Sequence, residues 1–232
     1  TSSSTFSYVV FFLIIGAFSC TIYMLEIIQK QMIKKTHIIS IITIVAFLGI
    51  GATWVITKAT NSTQVLPDII KEVPEFSLVS HHGEPFTKDS LLNKITVLDF
   101  IFTSCPGPCP IMSNNMRTLY NQYKLHSDLQ FLSITVDPDY DTQEVLKLYA
   151  DANGVNDMRW KFLRTDMEKI KTLSSDGFLF MADNLPAGHS VKFVLIDENG
   201  NIRQYYNGTD DASISILRKH INLSLKTLRS RT

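Results

Sequence analysis

The chain carries no surplus of charge of either sign: 22 Lys and Arg balance 22 Asp and Glu, for a formal net charge of +0. A phosphate backbone is bound by a basic surface, so this balance speaks against nucleic acid as a partner. Internal repeats are absent. Cysteine is scarce, with three in 232 residues, and two of those lie four apart. Glycine and proline are missing from Ile111 to Leu125, which leaves that stretch free to be a helix.

Hydrophobicity is plentiful but unevenly spread. Residues 9–28 and 38–56 are almost wholly apolar, and the second run holds no charge. At about 1.5 Å per helical residue, each is long enough to cross a hydrocarbon core of roughly 30 Å. Glu26, near the end of the first run, would then lie at the interface. The loop between them carries Lys30, Lys34 and Lys35, and short positive loops stay in the cytoplasm. The expectation is a membrane anchor over 1–58, with the N-terminus and everything after Lys58 outside the cytoplasm. A signal peptide is disfavoured, because the first run has neither a basic leading segment nor a small-residue cleavage site. The chain begins at Thr1 rather than Met, which fits a processed or truncated product with further spans upstream. Cys20 falls inside the first run and reads as an inert small hydrophobe.

The most informative stretch is Thr103-Ser104-Cys105-Pro106-Gly107-Pro108-Cys109-Pro110. It follows a β-branched and aromatic run, 95–102, of the kind a central strand buried on both faces shows. Pro108 and Pro110 lack an N–H and are tolerated in a helix only within its first turn, so the helix begins at about Cys109. Met112, Met116, Leu119 and Tyr123 then recur at helical spacing. Cys109 near the positive end of the helix dipole is expected to have a lowered pKa. A thiolate there attacks a disulfide or binds a soft metal, and the spacing does not choose between them. A small structural disulfide or two inert thiols is the blander alternative.

Residues 59–72 read as a polar tether and 73–232 as one domain of about 160 residues, enough for a well-formed core. His81 and His82 fall in a predicted hairpin turn and read as solvated. Strands and helices then alternate: a strand at 129–136, a helix at 142–152, a strand near 160–163 and a helix from about Met167. A strand at 190–196 turns through Glu198-Asn199-Gly200-Asn201 into its partner at 202–206. Ile214, Leu217, Ile221, Leu225 and Leu228 make the apolar stripe of a last helix. This order predicts an α/β fold, a central mixed sheet with helices on both faces. Phe178, Phe180 and Met181 fall in a predicted mobile loop, where packing is the simpler role for all three. Asn61-Ser62-Thr63 and Asn207-Gly208-Thr209 fit the glycosylation sequon, a pattern common by chance.

The run from Phe102 to Pro110 resembles the FTxCxxxCP signature of the Sco (SenC) proteins, which have a thioredoxin-like fold. Val136-Asp137-Pro138-Asp139-Tyr140-Asp141-Thr142 is similar to the family's VDPxxDT, and Gly188-His189-Ser190 matches the place of its copper-ligand histidine. The resemblance covers roughly residues 68–228. It implies copper, Cu(I) or Cu(II), bound by Cys105, Cys109 and His189, a set of soft and borderline ligands that suits that metal. Asp137 ends a strand at the same sheet edge and is expected either to orient a ligand or to cap the loop. Two departures stand out: Gly107 replaces an acidic residue many members carry, and members usually have one membrane span rather than two.

The resemblance implies a membrane-anchored metallochaperone delivering copper to the copper subunit of a respiratory oxidase. It would be kept reduced by a thiol reductant of thioredoxin type. The location implied is the cytoplasmic membrane, with the domain facing the periplasm or outside; the mitochondrial inner membrane fits less well. The alternative is a thiol–disulfide oxidoreductase acting on a partner's cysteines. The three-residue spacer and His189 favour copper, since a dedicated reductase more often has a two-residue spacer. A peroxidase is weaker still, because nothing here pairs a single peroxide-reactive cysteine with an Arg or Gln/Trp set.

Overall fold

The computed structural model describes residues 24, 29–30, 37, 39–55, 57 and 65–231. Most of the predicted span 9–28, with Cys20, and also Lys34, Lys35 and the Asn61 sequon, lie outside the described residues. The chain divides into two compact units, Thr1–Ser62 and Thr63–Thr232. In the first, residues 39–55 form helix α1, which exposes Ile41, Ile42, Phe47, Leu48 and Trp54. Among the described residues, no helix is long and apolar enough to cross a membrane.

The second unit is built on one sheet of eight strands in the order β1-β8-β7-β4-β5-β6-β2-β3. The strands are β1 (Lys71–Glu72), β2 (Ser77–Ser80), β3 (Pro85–Thr87), β4 (Ile95–Ile101), β5 (Leu129–Thr135), β6 (Trp160–Arg164), β7 (Lys192–Ile196) and β8 (Asn201–Asn207). The helices between and after them are α2 (Cys109–Gln122), α3 (Gln143–Ala152), α4 (Met167–Thr172) and α5 (Asp211–Arg229). β4, β5 and β6 run parallel, joined by α2 and α3, while β7 pairs antiparallel with β4. β4 and β5 are buried at every position, which is why their sequences are largely apolar, with Thr96 and Asp99 of β4 and Gln130, Ser133 and Thr135 of β5 the buried polar exceptions. The predicted tether ends earlier than expected: Ile70 donates to the Ile202 carbonyl at 2.9 Å and β1 pairs with β8, so residues 70–72 belong to the sheet edge.

Helix starts follow their capping residues. Thr142, Asp166 and Asp210 each accept a hydrogen bond from the backbone N–H three residues on, at the starts of α3, α4 and α5. α2 alone among these four begins on a proline, Pro108, with no side-chain cap. Gly200 turns β7 into β8 with φ 81, a conformation glycine adopts without steric cost.

The face of β4–β6 under α2 and α3 carries the aromatic core. Tyr120 of α2 stands edge-on to Phe131, and Tyr149 of α3 stands edge-on to Phe162. Trp160 stacks on Phe162 at 5.1 Å and donates to the Ser133 hydroxyl at 3.0 Å. On the opposite face of the sheet, Phe178 and Phe180 both pack edge-on to Phe100 of β4, at 5.4 and 5.8 Å. Burying each of these side chains is worth roughly 2 kcal/mol. Between them Leu179 takes φ 58, a left-handed conformation that costs about 1 kcal/mol, so that both phenylalanines reach the core. Met181, by contrast, is 84% exposed and packs on nothing in the core.

One expectation is overturned here. His81 and His82 do sit between β2 and β3, but His81 is buried, only 3% exposed. Its Nδ1 accepts the Phe162 N–H at 3.2 Å, and its own N–H donates to the Phe162 carbonyl. Burial, with His82 beside it, pushes its pKa down to about 4. A hairpin prediction places these residues at a turn but cannot reveal that β6 packs over one of them.

Candidate metal centre

The strand–loop–helix of the cysteine motif forms as its prolines dictate. β4 ends at Ile101, the Cys105 N–H closes back on the Phe102 carbonyl at 3.2 Å, and α2 starts at Cys109. Ser104, Pro106 and Gly107 are exposed at the loop tip. Both thiols face inward and are free, Cys105 at 9% and Cys109 at 1% exposure. His189 lies 80 residues on, in the turn before β7. Because β7 runs antiparallel to β4, with Leu98 opposite Val194, its entry lies beside the end of β4 and hence beside the cysteine loop. That pairing, rather than any local signal, brings the imidazole to the thiols.

Among the described residues, Cys105, Cys109 and His189 form the one cluster of three potential metal ligands, with their donor atoms within 4.8 Å of one another. His189 Nε2 lies 3.3 Å from Cys109 Sγ. Its Nδ1 lies 3.2 Å from the Ser190 carbonyl, which can only accept, so Nδ1 carries the proton and Nε2 offers a lone pair towards the sulfurs. Burial lowers the His189 pKa, only partly offset by the Ser190 and Phe100 carbonyls, and favours the neutral imidazole that binds metals. The His189 ring stands at 90° to Phe102, 5.3 Å between centroids, so an apolar wall fixes its tilt. Two thiols and a correctly oriented imidazole suit a soft or borderline ion.

The expected lowering of the Cys109 pKa does not hold. Burial pushes the Cys109 thiol up to about 12, and the neighbouring Cys105 adds to the rise. A helix terminus contributes about 0.3–1 kcal/mol, less than one pKa unit, so it loses to this burial. Cys109 therefore stays protonated at neutral pH until a metal or a bond to sulfur takes the place of its proton.

Asp137 does not join the ligand cluster. Its backbone N–H donates to the Thr135 hydroxyl at 3.0 Å, while burial and then the Asp141 charge raise its carboxyl pKa. Two other acids lie closer to the architecture of the site. Asp141 is fully buried and receives hydrogen bonds from the stem of the cysteine loop. Asp99, in the middle of β4, is also fully buried, and neither carboxylate oxygen makes a hydrogen bond of full geometry. Burial pushes its pKa up to about 7, with the Ser133 hydroxyl on the paired strand offsetting only part of the rise. The one charged residue in the run 95–102 was the available signal for Asp99; the acid before the cap residue Thr142 was the signal for Asp141. At Gly107 a Cβ would meet nothing within 4 Å, so the loop has room for the acidic side chain the resemblance leads one to expect.

The sheet order, with a dithiol loop at the end of β4 and a histidine entering β7, defines a thioredoxin-like domain with a soft-metal or dithiol site. Residues 67–222 match the SCO1/SenC family, and the chain belongs to it. A SCO1/SenC family lipoprotein from Bacillus anthracis is 32% identical, with a TM-score of 0.62 over 68% of this chain and 99% of that one. BsSco, a member of the Sco family of cytochrome c oxidase assembly proteins with an identified disulfide switch, is 25% identical. Its TM-score is 0.60, over 68% and 97% of the two chains. A protein of Stutzerimonas stutzeri described as copper-binding is 30% identical over 141 residues, 57% of this chain and 68% of its own.

Proposed function

We propose that this chain is a copper metallochaperone in which Cys105, Cys109 and His189 hold copper and pass it to the copper centre of a respiratory oxidase. The observation that carries this reading is the imidazole: its Nδ1 is committed to the Ser190 carbonyl while its Nε2 lies 3.3 Å from a buried thiol. Dithiol exchange alone needs no such third donor. Family membership, a copper-binding relative and an oxidase-assembly relative support the cargo and the destination. Asp137 serves the loop rather than the ion, through its place beside Thr135. Titrating the reduced domain with Cu(I) against a chromogenic chelator is expected to give one copper per chain, bound far more tightly than by a simple dithiol. Affinity no better than a dithiol's would overturn the reading.

The second reading, a thiol–disulfide oxidoreductase, rests on the two free thiols of one short loop and on the disulfide switch of a relative. The two can be stages of one cycle, with a thioredoxin-type reductant regenerating the thiols before copper loading. The oxidase copper subunit and that reductant are the partners proposed. Residues 1–58 are proposed to anchor the chain in the cytoplasmic membrane with the domain from 73 onward outside the cytoplasm. The exposed apolar side chains of α1 and the lysine-rich segment before it support this. Reporter fusions after Lys58 are expected to read as exported, and a cytoplasmic signal would reverse the topology.

A further inference from the structure

Asp141 is fully buried, and none of the salt bridges among the described residues includes it. A buried carboxylate without a cation is retained only where hydrogen bonds replace its lost hydration. Here they come from two strand ends. Thr103, just after β4, donates its hydroxyl to Asp141 Oδ1 at 2.5 Å and its N–H to Oδ2 at 3.2 Å. Thr135, the last residue of β5, donates its hydroxyl to Oδ2. The same Thr135 oxygen accepts the Asp137 N–H, and the Asp141 N–H returns to the Asp137 carbonyl at 2.8 Å. Three segments, the ends of β4 and β5 and the turn into α3, therefore meet on one side chain.

The position of this knot matters. Thr103 lies two residues before Cys105 and one after Phe102. Phe102 both accepts the Cys105 N–H and walls the His189 ring. The stem that Asp141 grips thus carries one sulfur and aligns the imidazole, although Asp141 touches neither. Beyond the stem the loop tip is exposed, so little else ties Cys105 down from the solvent side.

We propose that Asp141 is the positioning residue of the site: by clamping Thr103 it holds Cys105 at the distance from Cys109 and His189 that one ion requires. The proposal rests on the copper reading above. A ligand held by its supporting shell loses about 10–100-fold in metal affinity when that shell is removed.

The test compares Asp141→Asn, Thr103→Val and Thr103→Ser in the full chain. Asparagine turns one acceptor into a donor, so that a Thr103 or Thr135 hydroxyl must turn from donating to accepting; valine removes the clamping hydroxyl while keeping the shape; serine keeps the hydroxyl. Cu(I) affinity is expected to fall about 10–100-fold in Asp141→Asn and less in Thr103→Val, and to stay at the wild-type value in Thr103→Ser. The Cu(II)–thiolate absorption should shift in the first two. Leu146→Ala, which opens the core at a buried position of α3 and removes none of the clamp's hydrogen bonds, controls for loss of stability and should leave the absorption unchanged. Wild-type affinity and absorption in both Asp141→Asn and Thr103→Val overturn the proposal, as does an equal shift in Leu146→Ala. Should Asp141→Asn fail to fold, the valine and serine pair decides. Should the wild type itself bind no copper, the copper reading fails separately. The clamp is then judged on the dithiol–disulfide equilibrium constant, expected to change about tenfold (about 30 mV) in Thr103→Val and not in Thr103→Ser; no change would overturn it.

Discussion

Replacing His189 with alanine is expected to lower copper affinity by more than the roughly 10–100-fold typical of losing a supporting contact, because a donor atom itself is removed. The same variant should still close Cys105 and Cys109 into a disulfide in air without metal. Oxygen takes the two electrons and two protons that the thiols release, and imidazole is not a redox partner in that step. Chelator competition measures the first effect, and thiol counting before and after reductant measures the second. The geometry separates the two roles: Nε2 faces the sulfurs at 3.3 Å, while the thiols belong to one short loop that tolerates their approach. Unchanged copper affinity in His189→Ala would remove the imidazole from the ligand set and move the reading to the reductase. Thiols that stay free in air, in wild type and variant alike, would remove the redox reading instead.

A second large effect is expected at Asp99. Its pKa is about 7 in the folded chain against about 3.9 unfolded, so the folded state binds the extra proton between those values. The stability this proton supplies is fully present below about pH 4 and is lost as pH rises through 7. Three pKa units correspond to about 4 kcal/mol in total. His81 acts in the opposite sense: its folded pKa of about 4 lies below the unfolded value, so its share is lost as pH falls from about 6.5. Comparing wild type with Asp99→Asn cancels the histidine. The variant's buried amide imposes a pH-independent cost, and its stability relative to wild type should rise by about 2–3 kcal/mol from pH 5 to pH 8. Urea unfolding of the reduced, metal-free chain at both pH values measures this. A constant difference would mean that Asp99 is ionised throughout. Cys109 and Tyr149 lie within electrostatic reach of Asp99, so an anion there also discourages ionisation of Cys109.

Much of this was legible in the chain because it depends on neighbours in sequence. Pro108 and Pro110 allowed α2 only one starting place, and the helix begins at Cys109. The largely apolar, β-branched and aromatic run before the motif marks an interior strand, and the stripe from Ile214 to Leu228 is buried along α5. The order of strands and helices implied a mixed sheet, and the mixed sheet is there. These are consequences of backbone sterics and of period.

What tertiary structure alone decided is the electrostatics and the fine support of the site. Position at a helix start suggested an acidic Cys109, but burial under the fold outweighs the helix terminus and keeps the thiol protonated. A turn suggested a solvated His81, but β6 covers it. The motif drew attention to Asp137, whereas the hydrogen bonds to the cysteine loop fall on Asp141: only the approach of β4 and β5 brings Thr103, 38 residues away, onto it. His189 was assigned through resemblance, and it reaches the thiols only because β7 runs antiparallel to β4. Desolvation and pairing across dozens of residues are properties of the packed chain. No local pattern of residues encodes them.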